Sequence, residues 1–424
     1  MRVRRRHIIY VQGYDPRGLA QYYRMFRTEL RKSDRLSGLS SRISRPRSST
    51  DDTMASWTIA TDGGDWQTDT TYDFLRWEDL IQRDMAAPIR QTVLRASAIY
   101  WRLVVDGTIA RFWRAHWRFA TFISYPHFVL LNEILWSLIA AFVVWFALTA
   151  AGAANGAAIA AGIPVFAAAL WALLKYTEKR TYLLYLMSDT IFTWQFAHRE
   201  RPDWDARIAR FAAHLVETAK TSDADEIIVV GHSSGSFLGV EIMAQALELD
   251  PALGRHGPRL ALLTIGGNLP IVGFLPVSGK FRERLGRLAT EPALDWIDGQ
   301  SRKDVMNFYP FDPVTGHGLA IAGKRHNPTI MPVRFREIID PARYNRFRWQ
   351  FFRVHFQFVM ANERPNAYDF FMIVRGPVRL LDRARDPAGA LAAVHDSAPS
   401  AAKRDGNLGH RERTEREQPP IPQG

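Results

Sequence analysis

One stretch of the chain carries the residue types of covalent catalysis at a mechanically sensible spacing. It is Gly231-His232-Ser233-Ser234-Gly235, preceded by the apolar run EIIVV (226–230) and followed by GSFLGVEIMAQALEL (235–249). Gly-x-Ser-x-Gly alone is a weak signal, because glycine and serine are both common. Its setting strengthens it. A β-rich run ahead and an amphipathic helical pattern behind put Ser233 on a sharp strand-to-helix turn, and the flanking glycines remove side chains that would collide with the neighbouring strand and helix. Ser233 then stands at a helix N-terminus, where free N–H groups and the helix dipole favour a developing oxyanion. A P-loop is excluded, since no Gly-Lys-Ser/Thr follows. His232 points away from its neighbour Ser233 and is expected to pack or line a pocket.

A serine nucleophile needs a base and an acid that orients the base, and for a serine on a strand-to-helix elbow of this kind these follow it at the ends of later strands. The acid candidates are Asp295, Asp298, Asp304 and Asp312. Asp312 is preferred, with Asp298 behind it, because Asp312 ends the apolar run NFYPF and precedes Pro313-Val314, where a strand would leave the sheet. The competing role for Asp312 is an Asx turn before proline. Downstream histidines are His317, His326, His355, His395 and His410. His355 is preferred over His326: it comes after the strand expected at 329–339, in the aromatic segment FFRVHFQFVMANE, which can shield an imidazole from water. The oxyanion donors are expected to be the backbone N–H of Ser234 and one from the loop QGYDPRG (12–18), where Gly13 permits close approach and Tyr14 supplies the N–H.

The elements that must hold these residues are legible as alternating strands and helices. HIIYVQGY (7–14) reads as a strand and LAQYYRMFRTELRK (19–32) as a helix, with an exposed Ser/Arg-rich loop over 33–53 and a strand at 55–61. Residues 71–77 read as a strand or a helix start, 79–120 as helical. After a long apolar stretch come helices at 181–198 and 202–220, then strands at 226–230, 259–267, 304–311 and 329–339. Such alternation implies a mostly parallel sheet covered on both faces, an α/β fold.

Taken together, the early strand with QGYDP, GHSSGS on its turn, NFYPFDPVT with its acid and a late histidine resemble the α/β-hydrolase superfamily of the serine esterase or lipase type. The resemblance covers about residues 7–77 and 181–380. It implies that fold, a metal-free Ser233–His355–Asp312 triad without a cofactor, and acyl-ester hydrolysis. An acyltransferase would use the same triad, and a catalytically silent scaffold is the reading from another class.

The departure from that pattern is a membrane signal. Between Phe128 and Leu174 the only charged residue is Glu133. The stretch holds two runs near the roughly 20 apolar residues that a spanning helix needs, at 129–150 and 156–174, so a transmembrane hairpin is expected over 128–174 between two parts of one catalytic domain (1–127 and 175–385). Arg111, Arg114 and Arg118 precede it and Lys175, Lys179 and Arg180 follow it, which places both flanks on the cytoplasmic side. A bilayer and an acyl ester or lipid are therefore the expected partners. The whole chain has 424 residues, no cysteine and a formal charge of +12. Without cysteine there is no disulfide framework, thiolate metal site or cysteine nucleophile. Only 8 of the 55 basic residues are lysine, the arginines are scattered, and no nucleic-acid motif accompanies them, so no nucleic-acid ligand is expected. Residues 386–424, rich in Ala, Pro and charge, read as a disordered tail.

Overall fold

Alternation along strand β1 (Arg5–Val11) sends Ile9 and Val11 to one face of a sheet and Ile8 and Tyr10 to the other, and both sets are buried. A strand covered on both faces belongs in the middle of a layered α/β structure. The structure, a computed structural model, describes residues 2–395. Its strands are β1, β2 (Ser40–Ile43), β3 (Arg47–Ser48), β4 (Met54–Asp62), β5 (Gln67–Leu75), β6 (Glu226–His232), β7 (Arg259–Ile265), β8 (Leu294–Gln300) and β9 (Thr329–Pro332). They form one sheet in the order β2-β4-β5-β1-β6-β7-β8-β9, with β3 on β4. The run from β5 to β9 is parallel, while β4 pairs antiparallel with β5 and carries the short edge strands.

The chain leaves β1, pairs β5 on one side, and returns through helices to lay β6 on the other. This reversal makes the carboxyl end of β1 a topological switch point, the place where open α/β sheets hold ligands. One face is covered by α2 (Glu78–Met85), α3 (Ile89–Val105), the start of α4 (Thr108–Ala150), α6 (Leu183–Ala197), α7 (Pro202–Thr221), α8 (Gly235–Leu249), α9 (Leu269–Gly273) and α10 (Gly279–Thr290). The other is covered by α1 (Leu19–Ser37) and the segment from Phe335 to Leu380.

Several expectations shift in detail. Residues 304–311 are a turn-rich loop, not a strand: the Asp304 carboxylate accepts from Met306 N–H, and the Asn307 amide donates to the carbonyls of Ser301 and Asp304. Side chains that bond nearby backbone in this way compete with a strand ladder. The strand lies just before, at β8, where two aspartates interrupt the apolar pattern; Arg259 pairs with Asp295, while Thr264 and Gln300 donate to Asp298. The strand expected over 329–339 stops at Pro332 and gives way to a helical turn at Phe335–Ile338. The loop over 33–53 contains β2 and β3. Pro387–His395 is a helix, and the rest of the expected tail lies outside the described residues.

The apolar hairpin is present as α4, of 43 residues, and α5 (Asn155–Thr181), of 27. At about 1.5 Å per residue, the shorter helix runs roughly 40 Å, enough to cross a hydrocarbon core. In each, only 17% of the most apolar window is buried, so leucines, valines and phenylalanines such as Leu131, Leu138 and Phe142 face outward. That exposure separates these helices from a buried helical pair in a soluble core. Gly162 lets α5 approach Ala141 of α4. The first part of α4 is different. His116 has non-helical angles (φ −161°, ψ 96°), and around this kink Phe112, Phe119, Ala120 and Ile123 belong to the main core.

Two polar clusters tie distant segments to the sheet. Arg6 and Glu226, both fully buried, pair at 2.9 Å across β1 and β6; Arg6 also donates to the carbonyls of Gly376 and Val378, and Leu380 N–H donates to Glu226. This pair fixes the C-terminal segment under the amino ends of the strands. Removing one partner of a buried pair leaves an uncompensated charge, so Arg6→Ala should lower stability by about 3–5 kcal/mol, read as an earlier thermal unfolding than wild type. Asp73 on β5 accepts from His7 at 2.7 Å and His214 at 2.8 Å, and Ser56 donates to its other oxygen. Burial pushes this carboxyl up, but the bonds from His214, His7 and Ser56 outweigh it and hold the carboxyl well below the usual carboxylate range. A depressed folded-state pKa means stability that is full above the unfolded value near 4 and lost as pH falls further. Asp73→Asn should therefore reduce the melting temperature at pH 7 and make its fall below pH 4 shallower than in wild type.

Candidate functional site

At the switch point the chain packs backbone on backbone. A Cβ on Gly231 would lie 2.3 Å from the Gly235 carbonyl oxygen, and one on Gly235 would lie 2.2 Å from that of Val11. Only glycine fits at both positions, and the close approach sets the carboxyl end of β1 directly against the start of α8. Between them Ser233 adopts φ +57°, a conformation costly for a residue with a side chain and typical of functional turns. Its N–H donates to the Ile265 carbonyl at 3.1 Å and its carbonyl accepts from Ser236 N–H at 2.9 Å, so both neighbours of the turn hold the strain. Gly13 closes the third side: a Cβ there would sit 2.8 Å from Ser233 Cβ and 3.2 Å from its Oγ. The structure thus brings Gly13, Tyr14, Ser233 and Ser234 together.

The loop carrying Gly13 is braced from several directions. Trp77 Nε1 donates to the Gln12 carbonyl at 3.2 Å, the Tyr14 ring stacks on Phe192, and Tyr185 Oη donates to the Tyr14 carbonyl. Burial pushes the Tyr14 phenol far above its ordinary value, so it stays neutral.

His355 ends the short helical turn Phe351–His355 and is buried. Its ring lies 4.7 Å from that of His232 in a stacked arrangement, and His232 Nε2–H donates to the His355 carbonyl at 3.3 Å. Burial, reinforced by the nearby His355, pushes His232 well below its usual pKa, leaving it a neutral support next to Ser233. From beneath, Gly266 at φ +54° leaves room for the imidazole; a Cβ there would be 3.1 Å from His355 Cε1.

The partner of His355 is Asp304, not Asp312. His355 Nδ1 and Asp304 Oδ2 are 2.7 Å apart, with both side chains buried. A carboxylate only accepts, so Nδ1 carries the proton and Nε2 is left as the ring's acceptor; that atom is buried and has no hydrogen-bond partner. Asp312 pairs with Arg325 and caps the turn through the N–H groups of Val314 and Thr315. Burial raises its carboxyl, but Arg325 and those N–H groups bring it below the ordinary value. This is the Asx turn before proline, and it leaves Asp312 engaged away from His355. Asp298 is buried inside the sheet, pushed up to about 6 by burial against the bonds from Thr264 and Gln300. His326 is exposed. His317 packs against Phe274 and Phe311, and burial pushes it down to about 4.

The residue that sequence pattern ranked too low is Asp304. Its signal was the unread strand β8, which ends four residues earlier; with that strand in place, Asp304 follows one strand and His355 the next. Asp189 on α6 and Asn268 after β7 also reach the site and had no sequence signal at all, since each flanks Ser234 only through the tertiary fold.

The arrangement supplies a strained serine, an imidazole whose Nε2 is buried and unpartnered, and a buried carboxylate on its other nitrogen. These are the parts of nucleophilic acyl transfer. For metals, among the described residues only His7, Asp73 and His214 bring three ligand atoms within 4.8 Å. Two atoms sharing a zinc at about 2.1 Å would stand roughly 3.4 Å apart, whereas both imidazoles are already at hydrogen-bond distance from one oxygen; the cluster is built as a clamp on α7. Comparison with protein-family models, with curated proteins and with solved structures returns no significant match for this chain.

Proposed function

We propose that the chain is a membrane-anchored serine hydrolase that cleaves carboxylic esters through Ser233, His355 and Asp304. The observation that carries this reading is the buried 2.7 Å bond between His355 and Asp304, with His355 Nε2 buried and unpartnered and its ring stacked at 4.7 Å on His232, the chain neighbour of a serine held at φ +57°. On this reading Ser233 Oγ attacks the ester carbonyl carbon while its proton passes to His355 Nε2. Asp304 keeps the tautomer and stabilises the imidazolium. The oxyanion meets the N–H of Ser234 at the start of α8 and that of Tyr14, with Gly13 making room for it. Collapse breaks the carbon–oxygen bond to the alcohol, which takes the proton from Nε2; water then repeats the sequence and releases the acid.

Two features support a membrane setting. α4 and α5 are long and apolar enough to span, and arginines and lysines flank both, in keeping with a catalytic domain on the cytoplasmic side. The hairpin also touches the site: Tyr182, at the end of α5, packs on Phe352 at 4.4 Å, and Phe122 and Tyr125 of α4 pack on Phe351. Phe351 and Phe352 lie on the turn that bears His355. A substrate drawn from the bilayer, a lipid ester, suits a site braced this way.

Ser233→Ala should abolish covalent labelling by a fluorophosphonate probe without shifting the melting temperature downward, because it also relieves none of the packing; full labelling of that variant would place the nucleophile elsewhere. The acid assignment has its own test. Asp304→Asn should lower kcat on a p-nitrophenyl ester by about 10³–10⁴-fold through loss of the correct tautomer, whereas Asp312→Asn should change it less than threefold. The reverse ranking would restore Asp312.

A further inference from the structure

Beside the residues assigned to acyl transfer lies a set of polar atoms that this chemistry leaves unused. Asp189 sits on α6 one turn beyond Tyr185, and its Oδ1 accepts from Ser234 Oγ at 3.4 Å. Asn268 follows the Gly266-Gly267 turn after β7, is 6% exposed, and donates through Nδ2 to the same Ser234 Oγ at 3.5 Å. Asn268 Oδ1 is buried and has no hydrogen-bond partner. Both contacts to Ser234 are at the long limit of a hydrogen bond, and an unpaired buried carbonyl is costly, so the set has hydrogen-bonding capacity that its own members leave unfilled.

Its chemistry narrows the ligand. Burial pushes the Asp189 carboxyl up to about 7, against the Ser234 bond and the neighbouring His355, so near neutrality it can donate or accept. Asn268 offers one acceptor and one donor, and Ser234 a hydroxyl. One half-neutralised carboxylate is a poor partner for a cation, and the donor N–H of Asn268 would oppose one. A hydroxyl group, which both donates and accepts, matches every atom present.

We propose that Asp189, Asn268 and Ser234 form a subsite for a substrate hydroxyl close to the scissile ester, so that hydroxylated esters are preferred over plain alkyl esters. The proposal rests on Ser233 being the nucleophile. The hydroxyl can belong to the alcohol, as in a monoacylated glycerol, or to the acyl chain, as in a 3-hydroxy acid ester.

The test compares three esters of one chain length in the same detergent micelles: a monoacylglycerol, an ethyl 3-hydroxyalkanoate and the ethyl alkanoate. Wild type should show kcat/KM at least tenfold higher for one of the first two than for the third, and which one identifies the side that bears the hydroxyl. Asn268→Leu and Asp189→Leu should bring that ratio to within twofold of unity, since the rejection of an analogue lacking the hydroxyl comes from these groups being left unpaired. Asp189→Asn, which keeps a hydrogen-bonding side chain, should retain more of the ratio than Asp189→Leu. Equal kcat/KM for all three esters in wild type, a measurement that needs no variant to fold, would overturn the subsite, as would an unchanged ratio in both leucine variants. Fluorophosphonate labelling of wild type separates the two levels: no labelling sinks the serine reading itself, whereas labelling without hydroxyl preference sinks only the subsite.

Discussion

Everything at the candidate site follows from how closely β1 comes to the turn between β6 and α8. The contact is made of main chain alone, with carbonyls of Val11 and Gly235 standing where a methyl group would have to go. Because neither side can retreat without tearing β1 from β6, the turn is compressed and the residue at its apex, Ser233, is driven to positive φ. The same closeness delivers Gly13 to within van der Waals contact of Ser233. Strain at the serine and placement of the neighbouring loop are therefore one structural fact, set by three glycines and the parallel pairing of two strands.

How much of this was readable beforehand depends on whether a residue acts through its chain neighbours or through the fold. Gly231 to Gly235 announces itself because strand, turn and helix are contiguous, and α8 begins at Gly235 as the pattern indicates. The hairpin is equally plain, since solvent-averse residues of this number have few alternatives. Asp304 was obscured for a physical reason. β8 carries Asp295 and Asp298, charges that ordinarily argue against a buried strand, and their compensation by Arg259, Thr264 and Gln300 comes from other strands and the strand's own end. With β8 unseen, the apolar residues of NFYPF looked like the strand and Asp312 like its end. Asp189 and Asn268 lie further still from anything local, one on a helix leaving the hairpin and the other in a loop after β7.

α6 links the two halves of the molecule. It follows α5 after a single residue, Tyr182. Within one and a half turns it supplies Tyr185 to the Tyr14 carbonyl and Asp189 to Ser234. The turn bearing His355 leans on Tyr182 and Tyr185 through Phe352. The loop beside the serine and the histidine are thus braced by the same short stretch of chain, and their separation is governed by where that stretch sits.

The kink at His116 divides α4 into segments with different obligations, and Phe119 and Ile123 beyond it are still core residues. The apolar hairpin is therefore not a detachable tether. A water-soluble derivative made by excising residues 128–174 would have to join α4 to Lys175 in a geometry that still presents Phe122, Tyr125 and Tyr182 to Phe351 and Phe352. A flexible linker would preserve connectivity and lose that geometry. A rigid helical turn in place of the excised hairpin is the design that the packing dictates.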